Sequence, residues 1–256
     1  MQSLRTLYPL HLTPGGPPLT RKLLGPAFSE RTRSILLMGC RYGENALALC
    51  ESPDVHVSGI EEDSEAVLFA KMAAMESERT DRTRFLFMSP VKLDFPAETF
   101  DAVLMEGILS GYPWQAAMRE AKRVLKPDGI LGISDSIWLR DNPPSFIRDV
   151  WESPTQRIPT RDGLEKLFES FSMEILSFEQ ANDALTSFYK QFDSEVKDIS
   201  RRKFDGFKHQ KNLIRHYKHE IDVFSKHGGS KFMGYALVRA KRSGVVSENR
   251  PPEAAA

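Results

Sequence analysis

Two glycines and one acid carry the first chemistry in the chain. Gly39 and Gly43 follow a short apolar run, Ser34 to Met38 (SILLM), and Glu61 directly follows a second one, Val55 to Ile60 (VHVSGI). Glycines after a buried parallel strand let the backbone approach a ligand closely. Ligands of open α/β sheets lie at the carboxyl ends of the strands. A carboxylate closing the second strand can accept hydrogen bonds from both hydroxyls of a ribose. Its spacing from the glycines is close to the ~20 residues of nucleoside-binding βαβ units. The competing reading of the same residues is a tight turn followed by a solvated acid.

The elements that would position these residues alternate. A proline- and glycine-rich opening loop precedes a short helix, Leu19 to Leu24. Strands are expected at Ser34 to Met38, Val55 to Ile60, Phe85 to Met88, Phe100 to Met105 and Ile130 to Ser134. Helices are expected at Glu44 to Glu51, at Ser64 to Ser77 with Ser64 as N-cap, and at Pro113 to Leu125, stopping at Lys126-Pro127-Asp128-Gly129. Such alternation predicts parallel pairing with helices on both faces of the sheet. A helix at Arg161 to Phe171 and a strand at Met173 to Phe178 come next. A polar, aromatic-bearing stretch from Ala181 to Lys226 reads as two or more helices, before a last strand at Phe232 to Ala240.

With 256 residues the chain is long enough for one large α/β domain. Lys plus Arg and Asp plus Glu each number 35, so net charge gives no reason to expect nucleic acid or an anionic membrane as partner. No stretch approaches the ~20 apolar residues of a membrane span, and no signal-peptide pattern opens the chain. The two cysteines, Cys40 and Cys50, form neither a disulfide framework nor a zinc set, which fits a cytoplasmic, reducing setting. His216 and His219 share a helical face, but no carboxylate or cysteine set completes a metal site, so no metal is expected. Nothing in the sequence sets an oligomeric state.

Three segments resemble the class I S-adenosylmethionine-dependent methyltransferases. ILLMGCRYGENAL (Ile35 to Leu47) resembles their first motif, VLDxGCGxG. LDFPAETFDAVL (Leu93 to Leu104) resembles LPFPDESFDxV, and REAKRVLKPDGILGISD (Arg119 to Asp135) resembles REAxRVLKPGGxLxISD. A looser likeness to a small-molecule subgroup rests on TPGGPPLTRKLL (Thr13 to Leu24), SFYKQF (Ser187 to Phe192), HYKHEI (His216 to Ile221) and GYALVRAKR (Gly234 to Arg242). The resemblance implies an α/β, Rossmann-like, seven-stranded sheet, mostly parallel with an antiparallel last strand. It implies one domain over 1–242, with 1–30 as opening loop and helix and 181–230 as a helical lid insertion, followed by a frayed tail at 243–256. It implies S-adenosylmethionine as cofactor and a small molecule as methyl acceptor.

The resemblance also assigns positions. Gly39, Cys40 and Gly43 would line the methionine part of the cofactor, Glu61 would hold the ribose, and Glu62 would lie beside the adenine. Ser89 falls where the family often has an aspartate that reads the adenine amino group. Met105, Glu106 and Gly107 would face the sulfur, and Thr20 and the Gly15-Gly16 turn would close over it. Two positions depart from the pattern. Leu37 replaces the acid of the first motif and cannot accept a hydrogen bond. Arg41 replaces the middle glycine, where a positive φ would cost about 1 kcal/mol or more; its guanidinium would either crowd the cofactor or pair with its carboxylate.

Methyl transfer from a sulfonium is an in-line displacement of an already activated group. The protein has to align the partners, exclude water and, where the nucleophile carries a proton, supply a base. Glu106, Asp135, Tyr112 and Tyr189 are the candidates at the pocket mouth. Each has a plainer alternative: a polar strand end for Glu106, a turn or N-cap for Asp135, and packing for the two tyrosines. Two other functions compete. Leu37 and Arg41 motivate a non-catalytic, methyltransferase-like binding or partner subunit. A nicotinamide-dependent oxidoreductase is disfavoured, because no Gly-x-Gly-x-x-Gly follows the first strand.

Overall fold

In a computed structural model of the chain, which describes residues 13–25, 32–154, 156–201 and 208–242 without the side chains of 208–210, seven strands form one sheet. The expected tail at 243–256 and residues 1–12 and 26–31 of the opening segment lie outside the described residues. The strands are β1 (Ser34–Met38), β2 (His56–Glu61), β3 (Thr83–Phe87), β4 (Phe100–Glu106), β5 (Leu125–Trp138), β6 (Met173–Gln180) and β7 (Met233–Arg242). Their order is β3-β2-β1-β4-β5-β7-β6. The pairs from β3 to β5 are parallel, and β7 runs antiparallel to both β5 and β6. The fold is therefore the Rossmann-like one expected. The helices are α1 (Gly16–Leu24), α2 (Glu44–Leu49), α3 (Ser64–Glu76), α4 (Trp114–Val124), α5 (Ser145–Trp151), α6 (Arg161–Ser170), α7 (Asn182–Arg201) and α8 (Lys208–Ser225).

Hydrophobic patterning explains the central strand. Ile35 to Met38 are fully buried, so β1 is covered on both faces and reads as a continuous apolar run. Two core clusters lie on opposite sides of the sheet: Ile35 and Leu37 belong to one, Leu36 and Met38 to the other. Leu37 is thus core packing, with no polar role. Helix α4 buries Ala117, Met118, Ala121 and Val124, the spacing of one helical stripe.

Several local expectations shift. Asp63, not Ser64, caps α3, because its carboxylate accepts from the backbone N–H groups of Glu65 (2.8 Å) and Ala66 (3.2 Å). The Lys126–Gly129 segment does not separate α4 from a short strand. It lies inside β5, a 14-residue strand that begins as soon as the helix ends. Helix α5 is not anticipated; seven residues are too few to show a period. The stretch after β6 resolves into α7 and α8, whose buried stripes meet where Tyr189 stacks on Phe224 with ring centroids 3.8 Å apart. Among the described residues, no helix is long and apolar enough to cross a membrane.

Strand β1 has β2 on one side and β4 on the other, so the chain direction of crossover reverses beside it. Such a switch point opens a crevice at the carboxyl ends of the two strands. Gly39 and Glu106 sit there.

Candidate active site

The turn after β1 is built around close approach. Gly39 has φ 79°, and a Cβ added to it would run into the backbone carbonyl oxygen of Glu106. The backbone N–H groups of Gly39 and Cys40 both donate to the Ile60 carbonyl, at 3.0 and 3.1 Å, which clamps the turn onto β2. Gly43 N–H donates to the Cys40 carbonyl at 2.8 Å and closes the loop. Arg41, at the top, takes φ 47°, the left-handed region that costs a non-glycine residue about 1–2 kcal/mol.

Glu61 ends β2 half-buried beside this turn. Its Oε2 accepts from Arg41 N–H at 3.1 Å and its Oε1 from Glu62 N–H at 2.9 Å. A carboxylate has about four acceptor sites, so both oxygens retain capacity for a diol. Glu62 is exposed, and the Tyr112 hydroxyl donates to its Oε2 at 2.7 Å. Burial and the neighbouring Glu62 push the Tyr112 hydroxyl above its ordinary pKa.

Strand β4 delivers Glu106, only 5% exposed. Thr20 from α1 donates to its Oε1 at 2.5 Å, and Asn45 Nδ2 from the first turn of α2 donates to its Oε2 at 2.6 Å. Burial raises the pKa of this carboxyl, while Thr20, Asn45 and the Arg41 charge work against the rise. Asn45 Oδ1 is buried and has no hydrogen-bond partner among the described residues. The site therefore holds an orphaned acceptor beside a buried carboxyl.

Glu106, Gly107, Arg41, Asp135, Tyr189 and Tyr235 share a cavity of about 220 Å³. An added Cβ at Gly107 would lie 3.6 Å from Arg41 Nη2, which places the guanidinium over the end of β4. Asp135 lies within β5, three residues before its end, and caps no helix. Its Oδ2 accepts from Leu109 N–H (2.7 Å) and Ser110 N–H (3.3 Å), and its Oδ1 from Ser136 N–H (2.8 Å). It fixes the turn that follows Gly107. Burial outweighs these bonds and pushes its pKa up to about 6.

Tyr189 is also tied down. Its hydroxyl donates to Glu220 Oε1 at 2.8 Å and accepts from Trp151 Nε1 at 3.0 Å; the same indole lies 3.2 Å from Glu220. Burial and Glu220 hold its hydroxyl well above the ordinary value. Trp151 and Glu220 line the same cavity.

The other expected residues are placed as follows. Met105 is fully buried among core side chains and does not face the crevice. The Cys40 side chain packs against Gly59, leaving only its backbone at the turn. Ser89 is half-buried in the loop after β3, where its carbonyl accepts from Lys92 N–H at 3.2 Å. Gly16 lines a second cavity of about 550 Å³, which shares Thr13 and Phe188 with the first. Thr20 reaches the site through Glu106. Sequence reasoning missed Asn45, Trp151, Glu220 and Tyr235. Asn45, two residues past Gly43, was within reach of a motif argument; the others come from segments whose meeting is set only by the fold. Among the described residues no group of three or more His, Cys, Asp or Glu residues is placed to hold a metal ion.

Comparison with known proteins agrees with this geometry. Residues 35–129 match the family model of the methyltransferase domain. An O-methyltransferase of Aspergillus nomiae is 26% identical over 171 residues, 64% of this chain and 75% of that one. The 27-O-demethylrifamycin SV methyltransferase of Amycolatopsis mediterranei is 32% identical over 119 residues, 46% of this chain and 43% of that one. The chain spans less than two thirds of the length of several of the curated relatives it matches. The [4+2]-cyclase SpnF superposes with TM-score 0.73 at 22% identity, covering 88% of this chain and 80% of that one.

Proposed function

We propose that this chain, whose residues 35–129 belong to the methyltransferase-domain family, is an enzyme that transfers a methyl group from S-adenosylmethionine to a small molecule. The carrying observation is the convergence of the β1 and β4 ends: Gly39 has no room for a side chain against Glu106, and a cavity opens beside them. The residues fit the cofactor. Glu61 offers acceptors to the ribose hydroxyls. Glu106 and the orphaned Asn45 Oδ1 suit the α-ammonium, a role the leucine at 37 cannot fill. The Arg41 guanidinium suits the α-carboxylate. The bound cofactor supplies the electrophilic methyl group, and the protein's share is alignment and exclusion of water. Helices α7 and α8, carrying Tyr189 and Glu220, act as the lid over the acceptor. Cys40 and Cys50, both free and buried, support a reducing, cytoplasmic setting.

The test is calorimetric titration of the full chain with S-adenosylmethionine and S-adenosylhomocysteine. Micromolar binding that Glu61→Ala abolishes, with the fold kept by thermal melt, is the expected result. No heat at millimolar ligand sinks the proposal. A second reading, a methyltransferase-like partner subunit, draws on one observation: Arg41 sits in the left-handed region with its side chain in the cavity. That reading predicts no binding until Arg41 is truncated.

A further inference from the structure

We infer that the methyl acceptor is a compact amine, received as its cation at the aromatic end of this cavity; the inference rests on the methyltransferase reading above. Beyond Glu106 and Arg41, which the cofactor's ammonium and carboxylate engage, the cavity is lined by two more carboxyl groups, Asp135 and Glu220, and by no second guanidinium or ammonium side chain among the described residues. Four aromatic side chains, Trp151, Phe188, Tyr189 and Tyr235, share the wall. Aromatic faces attract cations, most of all where water is excluded. The polar hydrogens of two of these rings are already used: the Trp151 indole and the Tyr189 hydroxyl both point at Glu220 Oε1. Around them the wall presents aromatic surface and carboxylate acceptors, with Thr13, Ser110 and Ser136 as small hydroxyl groups. An anionic acceptor would meet like charge from Asp135 and Glu220, and a neutral hydroxyl would lack the attraction that aromatic rings exert on a cation.

The charge balance of the reaction favours the same class. A bound ammonium first gives a proton to the Glu220 carboxylate, which is half-buried and returns it to solvent. The nitrogen lone pair then forms the C–N bond while the C–S electron pair leaves with sulfur, giving a neutral thioether and a methylated ammonium. Positive charge passes from sulfur to nitrogen and stays among the carboxylates. Transfer to an oxyanion would cancel that charge and leave the buried carboxylates without compensation. The volume, about 220 Å³, is below the ~300 Å³ at which drug-sized sites begin and is shared with the methionyl end of the cofactor, which sets the acceptor as small.

The experiment uses the intrinsic tryptophan fluorescence of the full chain, since Trp151 forms part of the wall. The probes are 2-phenylethylamine hydrochloride, 2-phenylethanol and phenylacetate, which share a shape and differ in charge. The amine is expected to bind about tenfold more tightly than the alcohol, with phenylacetate weakest. Glu220→Gln is expected to bring the amine down to the alcohol while calorimetric affinity for S-adenosylhomocysteine stays unchanged. If that variant fails to fold, the ranking of the three probes on the native chain decides alone. Equal affinities, or a preference for phenylacetate, overturn the inference. Bound S-adenosylhomocysteine without amine preference sinks this inference only; absent S-adenosylhomocysteine binding sinks the methyltransferase reading, and this one with it.

Discussion

The Thr20 hydroxyl donates to Glu106 Oε1 at 2.5 Å, joining the first described helix to the end of β4 across 86 residues of sequence. Glu106 is buried, so each donor to it is worth more than a surface bond. Losing one leaves a partly unsatisfied carboxyl in the core, a cost of about 1–3 kcal/mol. Thr20→Val keeps the shape and removes the donor. Denaturant unfolding is expected to show that loss, whereas Thr20→Ser, which keeps the hydroxyl, is expected to lose less than half as much.

Gly39 accepts no side chain. Both the positive φ and the obstruction by the Glu106 carbonyl act on Gly39→Ala, so a loss of about 3 kcal/mol is expected. By contrast Gly16→Ala, where an added Cβ meets nothing within 4 Å, should show only the cost of its positive φ. Paired thermal melts of the two variants separate obstruction from conformation; equal losses would remove the obstruction argument.

Arg41 allows stability and binding to be set against each other. Arg41→Gly relieves a left-handed non-glycine residue and should gain about 1 kcal/mol of stability. If the guanidinium receives the cofactor carboxylate, the same variant binds S-adenosylhomocysteine at least ~10-fold more weakly, the size of one charge-assisted pair. Tighter binding after the change would show that Arg41 blocks the crevice.

Asp135 predicts a pH dependence. Burial holds its pKa at about 6, above the ordinary carboxylate value, so between about pH 4 and pH 6 the folded chain keeps a proton that the unfolded chain has released. The associated stability is fully present below the unfolded-state pKa and is lost as pH rises through about 6. Asp135→Asn cannot titrate. The melting temperature of the native chain minus that of the variant should therefore fall as pH is raised from about 4 to about 7. A flat difference would contradict the assignment.

Much of the fold is legible in local chemistry. Ser34 to Met38 announces a central strand because an apolar run that short has no other place to bury both faces, and the Gly39 to Gly43 turn is legible because only glycine tolerates its two flanking conformations. The joint between α4 and β5 is not legible. Lys126 to Gly129 carries turn residues, yet they form a bulge within β5, between the Phe100–Leu125 and Ala102–Ile130 pairs, with Lys126 Nζ bonded to Asp101 at 2.7 Å. In the site, Glu61 and Glu106 are found from their places at strand ends. Trp151, Glu220 and Tyr235 are not, because each lies on an element whose distance from the crevice depends on how α5, α8 and β7 dock. Tyr189 is picked out as a residue, but its hydrogen bond to Glu220, 31 residues away, is not legible in the sequence.

The crystal structure of the full chain grown with millimolar S-adenosylhomocysteine tests the central claim most directly. The predicted result is ribose hydroxyls on the Glu61 carboxylate and the methionyl end between Gly39 and Gly107, its ammonium on Glu106 and Asn45. A crevice without ligand, crossed by the Arg41 side chain, would contradict it.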